Sequence, residues 1–233
     1  MGRKADGPDE VSAGIFPPRA LNSGLAEAGR RLFAGQTRFI AGATGPSTLP
    51  PEGLPEIAFG GRSNVGKSSL VNAVTGRRML ARISKTPGRT HQINFFDVNG
   101  RLMLVDLPGY GYAEAPKAAV KGWTSLVRHY LQTRGALRRV CLLIDARHGI
   151  KEVDRPLMRM LDESGVSYQV VLTKADKAGK GELAALSERI TAELASHVAA
   201  HPEIHLTSAA EHCGIAELRE TLANFAAPAE LSR

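Results

Sequence analysis

The chain reads as an α/β fold: a mostly parallel, six-stranded sheet with one antiparallel hairpin strand and helices on both faces. Three observations predict it. Short apolar runs of strand length alternate along the chain with longer stretches of helical character, the signature of a sheet covered on both sides. The dipeptide Asn99-Gly100 separates two such runs and is the strongest short hairpin signal. The 233 residues, 43% hydrophobic and 23% charged, suit one domain with a sizeable core and are few for two.

Taken in order, residues 1–22 are rich in Gly, Pro and mixed charge and read as a disordered tail. A short helix is expected over Ser23–Phe33 and a short strand at Phe39–Ala41, followed by a Gly/Pro-rich loop. Glu56–Phe59 reads as a strand and Lys67–Gly76 as a helix. Gln92–Val98 and Arg101–Asp106 are the two hairpin strands. Pro116–Leu131 is a helix, and Val140–Asp145 is a continuous apolar run of the kind a central strand needs. Then come a helix at Glu152–Glu163, a strand at Tyr168–Thr173, a helix at Glu182–Val198, a strand at Ile204–Thr207 and a helix at Ile215–Phe225. The domain is thus expected to span 23–226, with 227–233 a tail that carries no motif. No internal repeat is visible.

Aromatic residues make up only 5%, so the core should be aliphatic. Cys141 and Cys213 lie far apart and match no metal spacing; Cys141, inside VCLLID, reads as a small buried hydrophobe, a usage that suits a reducing cytoplasm. No apolar stretch approaches the roughly 18–20 residues that span a bilayer. The opening MGRKADGPDEVSAG has no apolar core and carries three acids, unlike a secretory signal, and Asp6 stands where myristoylation wants Ser or Thr. A soluble, cytoplasmic protein is expected, and no amphipathic dimer helix argues against a monomer.

The net charge of +7 is uneven. Arg77, Arg78, Arg82, Lys85, Arg89 and Arg101 face one acid, Asp97, in their stretch, and more basic residues cluster between Lys117 and Arg139. Clustered cations gain affinity for a polyanion by releasing its counterions. Without a DNA-binding motif, RNA is the expected partner.

The chemistry is carried by Gly61-Arg62-Ser63-Asn64-Val65-Gly66-Lys67-Ser68, followed by Ser69, between an expected strand and an expected helix. Glycines let backbone N–H groups turn inward around phosphate oxygens, and the helix N-terminus adds a favourable dipole. Lys67 is expected to neutralise β- and γ-phosphate oxygens, and the Ser68 hydroxyl to ligate Mg²⁺. Asp106-Leu107-Pro108-Gly109 ends a strand some forty residues on, where a carboxylate can reach the Mg²⁺ shell through water and Gly109 can offer its N–H to a γ-phosphate. Thr173-Lys174-Ala175-Asp176 ends another strand, at the sheet edge where such folds bind ligands. A carboxylate at Asp176 can accept from guanine N1–H and N2–H₂; adenine would leave it unpaired, a loss of several kcal/mol. Thr207-Ser208-Ala209 ends the next strand and can present a backbone N–H to guanine O6. Between the first two motifs, Ser84–His91 contains Thr86 and Thr90, either of which can bind Mg²⁺ and sense the γ-phosphate; spacing does not choose.

GRSNVGKSSLVNAV, SKTPGRTHQINFF, DLPGYGYA, LLIDARHGIKEVD and VLTKADK together resemble the EngB (YihA) family of bacterial GTPases, over roughly Phe39 to Phe225. The resemblance implies a Ras-like G domain with Mg²⁺-dependent GTP/GDP binding, a role in large ribosomal subunit assembly and a link to cell division and septation. It places the Mg²⁺-ligating Thr at Thr90, and Gly88, Arg89, His91 and Gln92 beside the nucleotide. The family often has Gln immediately after that Thr; here His91 intervenes before Gln92.

Two departures from the Ras-type site bear on rate. The residue after Gly109, where Ras-like proteins place a water-orienting Gln, is Tyr110, so intrinsic turnover is expected to be slow and stimulated by a partner. Related GTPases with an Asn at the place of Asn64 use it to hold K⁺ beside the phosphates, so Lys67, Thr90 and Asn64 form the expected catalytic set. The competing readings are a GTP-dependent binding scaffold at the division site and a nucleotide kinase or ATPase; Asp176 argues against the latter.

Overall fold

The computed structural model describes residues 23–77, 92–111 and 117–228, without the side chains of 117–121 and Trp123. The expectations for 1–22, for 78–91 and for the last residues of the C-terminal tail lie outside the described residues. In chain order the elements are α1 (Ser23–Ala34), β1 (Thr37–Ala43), β2 (Glu56–Gly61), α2 (Lys67–Thr75), β3 (Ile93–Val98), β4 (Leu102–Asp106), α3 (Lys117–Thr133), β5 (Leu137–Asp145), α4 (Arg155–Glu163), β6 (Tyr168–Thr173), α5 (Lys180–Leu194), β7 (His205–Leu206) and α6 (Ile215–Ala223). Among the described residues, no helix is long and apolar enough to cross a membrane.

The sheet has seven strands in the order β1-β3-β4-β2-β5-β6-β7, one more than expected. The edge strand β1 grows from the short strand expected at Phe39–Ala41. The weak run around Phe39 extends to Thr37–Ala43 because it pairs antiparallel with β3, a ladder that local sequence does not announce. β3 also runs antiparallel to β4, while the β2·β4, β2·β5, β5·β6 and β6·β7 pairs are parallel. A single antiparallel strand therefore sits in an otherwise parallel sheet, as the hairpin predicts. Its turn has Asn99 at φ 56° and Gly100 at φ 65°, the double positive φ that fits the right-handed twist of the flanking strands.

Period-two alternation divides the core. Along β5, Val140, Leu142 and Ile144 join one apolar cluster with Leu126 and Tyr130 of α3, Met158 and Leu161 of α4, and Leu183 and Ile190 of α5. Cys141 and Leu143 join the other, with Leu32 and Phe33 of α1, Leu70 and Val74 of α2, and Leu218 and Leu222 of α6. Cys141 is fully enclosed, and burial pushes its thiol up to about 12, which makes it the packing residue its apolar run predicts. β5 starts three residues before its expected position, at Leu137, because Leu137 and Arg139 pair with β2 although both are only partly buried and Arg138 is exposed, so the apolar run does not mark them. Arg139 is sheltered by a hydrogen bond to Gln169 (2.8 Å) and by the Phe225 ring (4.9 Å).

A buried acid opens the central strand β2. Glu56, 1% exposed, accepts from Tyr130 Oη (2.8 Å) and from Arg134 Nε and Nη2 (2.9 and 2.6 Å). Arg134 also donates to the Pro50 carbonyl (2.8 Å) and lies over Phe95 (5.4 Å), so the end of α3 is tied to the start of β2. Removing one partner of such a pair leaves a buried charge uncompensated. Glu56→Gln is expected to cost about 3 kcal/mol in urea denaturation; an unchanged midpoint would show that the pair contributes nothing net.

Candidate functional site

The strand order reverses at β2: the chain leaves it for β3 and β4 on one side and returns to β5 on the other. Such a switch point opens a crevice at the carboxyl ends of the strands, and the Gly61–Ser68 loop fills it. A Cβ on Gly61 would stand 3.0 Å from the Leu143 Cβ and carbonyl oxygen and from Val65 Cγ1, so only glycine lets the loop leave the sheet here. Asn64 (φ 63°) and Gly66 (φ 102°) are both left-handed and reverse the chain into α2. Val65 N–H closes back on the Arg62 carbonyl (3.2 Å). Among the described residues, no hydrogen-bond acceptor takes the amides of Asn64, Gly66 or Lys67, which leaves three donors at the head of a helix. Ser68 and Ser69 follow in its first turn.

The Asp106–Tyr110 turn is stitched alongside. Leu107 N–H donates to the Phe59 carbonyl (3.0 Å), Tyr110 N–H to that of Gly61 (3.4 Å) and Ser63 N–H to that of Tyr110 (2.9 Å). Gly109 is close enough to Ser63 that a Cβ would meet its Oγ at 3.2 Å. Lys67 Nζ donates to Asp106 Oδ1, and the pair is only slightly exposed. Each is thus the other's counter-ion at the head of α2, where a phosphate oxygen can replace the carboxylate and a cation the ammonium. The neighbouring Ser68 hydroxyl and Asp106 carboxylate are the hard oxygen donors that suit Mg²⁺.

The Thr173–Asp176 end of the crevice is built on β6. Thr173 Oγ1 donates to the Val65 carbonyl (2.6 Å), fixing β6 against the phosphate loop. Lys174, left-handed at φ 57°, sends Nζ to the Asn64 carbonyl (2.7 Å). Ala175 N–H donates to the Thr207 carbonyl (3.1 Å), and Asp176 Oδ1 accepts from Ser208 Oγ (2.6 Å). Burial works to raise the Asp176 carboxyl, but Ser208 and the nearby Lys177 outweigh it and hold it below the usual range. Ser208 N–H is spent on the Cys213 carbonyl (2.9 Å), and Ala209 N–H has no hydrogen-bond acceptor among the described residues, so of the Thr207–Ala209 amides it is Ala209's that can meet a ligand.

Three residues that lie within the quoted motifs but had no role assigned to them complete the site. Asp145, 4% exposed, accepts from Arg147 N, Nε and Nη2 (3.1, 2.9 and 2.7 Å) and from Lys174 Nζ (2.8 Å). Burial works to raise its carboxyl, and the Arg147 and Lys174 bonds overcome that and hold it well below the carboxylate range. Through Lys174 it joins β5, β6 and the Asn64 carbonyl. Asp154 is fully buried and accepts from Tyr110 Oη (2.8 Å) and from Lys151 N–H (2.8 Å), with Arg62 Nε at 3.2 Å. This cluster takes the Tyr110 phenol into the core; burial foremost, then the Asp154 charge, raises its pKa far above the usual value. It also takes the Arg62 side chain away from the loop, so only the Arg62 main chain lines it. The same anchored Asp154 explains why α4 begins at Arg155 rather than at the expected Glu152. Third, Asn94 Oδ1 accepts from Gln92 Nε2 (2.7 Å) and its Nδ2 approaches Asp106 Oδ2 at 3.5 Å, which places Gln92 next to that carboxylate. A buried acid that pairs across the fold has no local signature; the segment beginning at Asp145 was visible only as a distinctive motif. Thr86, Gly88, Arg89, Thr90 and His91 lie outside the described residues.

A phosphate loop at a switch point, an acidic strand end beside its lysine and a Thr-Lys-Ala-Asp loop at the end of β6 define a P-loop GTPase. Residues 56–174 match the family described as 50S ribosome-binding GTPase. The chain is 59% identical over 207 residues to a protein of Rhodospirillum rubrum described as "Probable GTP-binding protein EngB", covering 87% of this chain and 90% of that one. A protein of the same description from Bradyrhizobium diazoefficiens is 54% identical over 203 residues, covering 86% and 94%. The chain belongs to the EngB family of GTP-binding proteins. Among solved structures, a crystal structure of a "probable GTP-binding protein engB" shares the fold at TM-score 0.60 and 22% identity, over 72% of this chain and 97% of that one. Era in complex with MgGDPNP and nucleotides 1506–1542 of 16S ribosomal RNA does so at TM-score 0.56 and 22% identity, over 76% and 58%.

Because Asp145 acts through Lys174, Asp145→Asn and Lys174→Ala are expected each to weaken GDP binding about tenfold and the double variant little further, a coupling that a fluorescent-GDP titration reads directly. Additive losses would place Asp145 outside the base loop's support. Asp145 and Asp176 both have lowered carboxyl pKa values in the folded protein, so what they contribute is full above the ordinary carboxylate range and is lost only as pH falls through those lowered values. The ratio of GDP to IDP affinity, in which the titration of the terminal phosphate cancels, should therefore be flat from about pH 8 down to about pH 5. A fall beginning near neutrality would contradict this.

Proposed function

We propose that this chain is a slow, Mg²⁺-dependent GTPase that works as a switch in large ribosomal subunit assembly, as a cytoplasmic monomer, with its link to cell division and septation part of the same role. The observation that carries the rate is the Tyr110 hydroxyl bound to buried Asp154 at 2.8 Å. The side chain that follows Gly109 is committed to the core and has no freedom to orient a water beside the γ-phosphate. In this reading Gly61 to Ser69 cradle the phosphates, and Lys67 neutralises them. Ser68 and Thr90 would hold Mg²⁺, with Asp106 nearby, and Asp176 with Ala209 N–H reads guanine. Mg²⁺ would supply neutralisation of the phosphate charge. Asn64, with its left-handed backbone at the loop mouth, is the residue that would hold K⁺. The ribosomal partner is supported by the family description, by the RNA-bound neighbour and by the net charge of +7.

Single-turnover hydrolysis by the isolated protein is expected on the order of 10⁻² s⁻¹ or slower in Mg²⁺, faster in KCl than in NaCl, and faster again with purified large ribosomal subunits. Several turnovers per second in the isolated protein would defeat the slow-switch reading. Equal rates in the two salts would remove K⁺ from it, and no response to subunits would remove the ribosomal trigger.

A further inference from the structure

A second charged recess lies at the far end of α2. The helix carries the phosphate loop at its N-terminus and runs for 9 residues, so its C-terminal turn lies roughly 13 Å away at about 1.5 Å per residue. There, α1, α2 and α6 leave a cleft of about 520 Å³, whose charged lining is Arg30, Arg77 and Arg219, with no acid among the lining residues. Arg30 comes from α1, Arg77 from the turn after α2 and Arg219 from α6, so it is the tertiary packing that brings the three guanidinium groups to one place.

Two of the three are held before any ligand arrives. Arg219 donates from Nε to the Val74 carbonyl (2.8 Å) and from Nη2 to that of Ala73 (3.0 Å), and stands 6.0 Å from the Phe33 ring. Arg77 donates from Nη2 to the Gly35 carbonyl (3.1 Å), and its own N–H donates to that of Asn72 (3.1 Å). A guanidinium has five N–H donors, so both keep donors beyond these bonds. Arg30 pairs with Glu27 (2.7 Å), but that one carboxylate also serves Arg31 (2.5 Å), so the exposed face of α1 keeps an excess of positive charge. The Arg219 bonds by themselves have a simpler purpose, since they cap the last carbonyls of α2. That purpose explains neither Arg77 nor Arg30.

We infer that this cleft is a docking site for the phosphodiester backbone of ribosomal RNA, separate from the nucleotide site at the other end of the same helix. The chemistry favours phosphate: planar forks bind its oxygens in pairs, and side chains already fixed by main-chain acceptors lose little entropy on binding. Phe33, 3% exposed, is too enclosed to stack on a base, so the contact is with the backbone and carries no sequence preference. The inference rests on the ribosomal reading above and gives it a surface.

The test uses the full chain loaded with a non-hydrolysable GTP analogue, as wild type and as the Arg30→Gln/Arg77→Gln double variant, which leaves the Arg219 cap intact. The probes are purified large ribosomal subunits and the protein-free RNA extracted from them. The variant should keep wild-type GDP affinity and thermal midpoint, lose tenfold or more in affinity for both probes, and show a salt dependence shallower by one to two in log–log slope. A variant that binds both probes as the wild type does overturns the cleft while leaving the ribosomal reading intact. Loss of subunit binding with RNA binding unchanged would assign the cleft to a ribosomal protein and also overturns the RNA inference. A wild-type chain that binds neither probe would instead sink the ribosomal reading itself.

Discussion

Burial of β2 on both faces is the constraint on which the rest depends. All six of its residues, Glu56–Gly61, are enclosed, including an acid at one end and two glycines at the other. The acid is tolerated because Tyr130 and Arg134 of the α3 end supply donors, and that requirement fixes how α3 crosses the sheet. At the other end the absence of a Cβ on Gly61 lets the chain leave between β4 and β5. The phosphate loop thus leaves a strand that is enclosed along its length, and it opens into the crevice at the carboxyl ends of the strands.

Two buried carboxylates then organise the loops around it, and they act in opposite directions. Asp145 draws Lys174 and Arg147 together beside the Thr173–Asp176 loop, and through Lys174 reaches the main chain of Asn64. Asp154 draws Tyr110 and Arg62 away from the phosphate side. The first arrangement holds the Thr173–Asp176 loop against the phosphate loop. The second turns inward the two large side chains that flank the phosphate loop and follow Gly109, the packing on which the proposed slow turnover rests. Charges paired this deeply are costly to break singly, so both arrangements are stiff.

Much of this was legible from local sequence. The glycine spacing of the phosphate loop, the apolar VCLLID run and the Asn99-Gly100 turn each encode their geometry in consecutive residues, and each appears where expected. Edges and ends were less legible. β1 becomes a seven-residue strand through its ladder with β3, and α4 starts late because Asp154 is held by Lys151 N–H and Tyr110. In both cases the deciding partner lies far away in the chain or across a turn, and periodicity within a window does not record it.

The sequence by itself determined the class of protein, a P-loop GTPase, through a glycine-rich loop, an acidic strand end and a Thr-Lys-Ala-Asp loop, each a motif of consecutive residues. Only the tertiary structure decided which side chains serve that chemistry. It turned Tyr110 and Arg62 inward, made Asp145 the common anchor of two cations and gathered Arg30, Arg77 and Arg219 into one cleft. The physical reason is that a side chain's role depends on the charge and volume it meets after packing, and those come from residues distant in sequence.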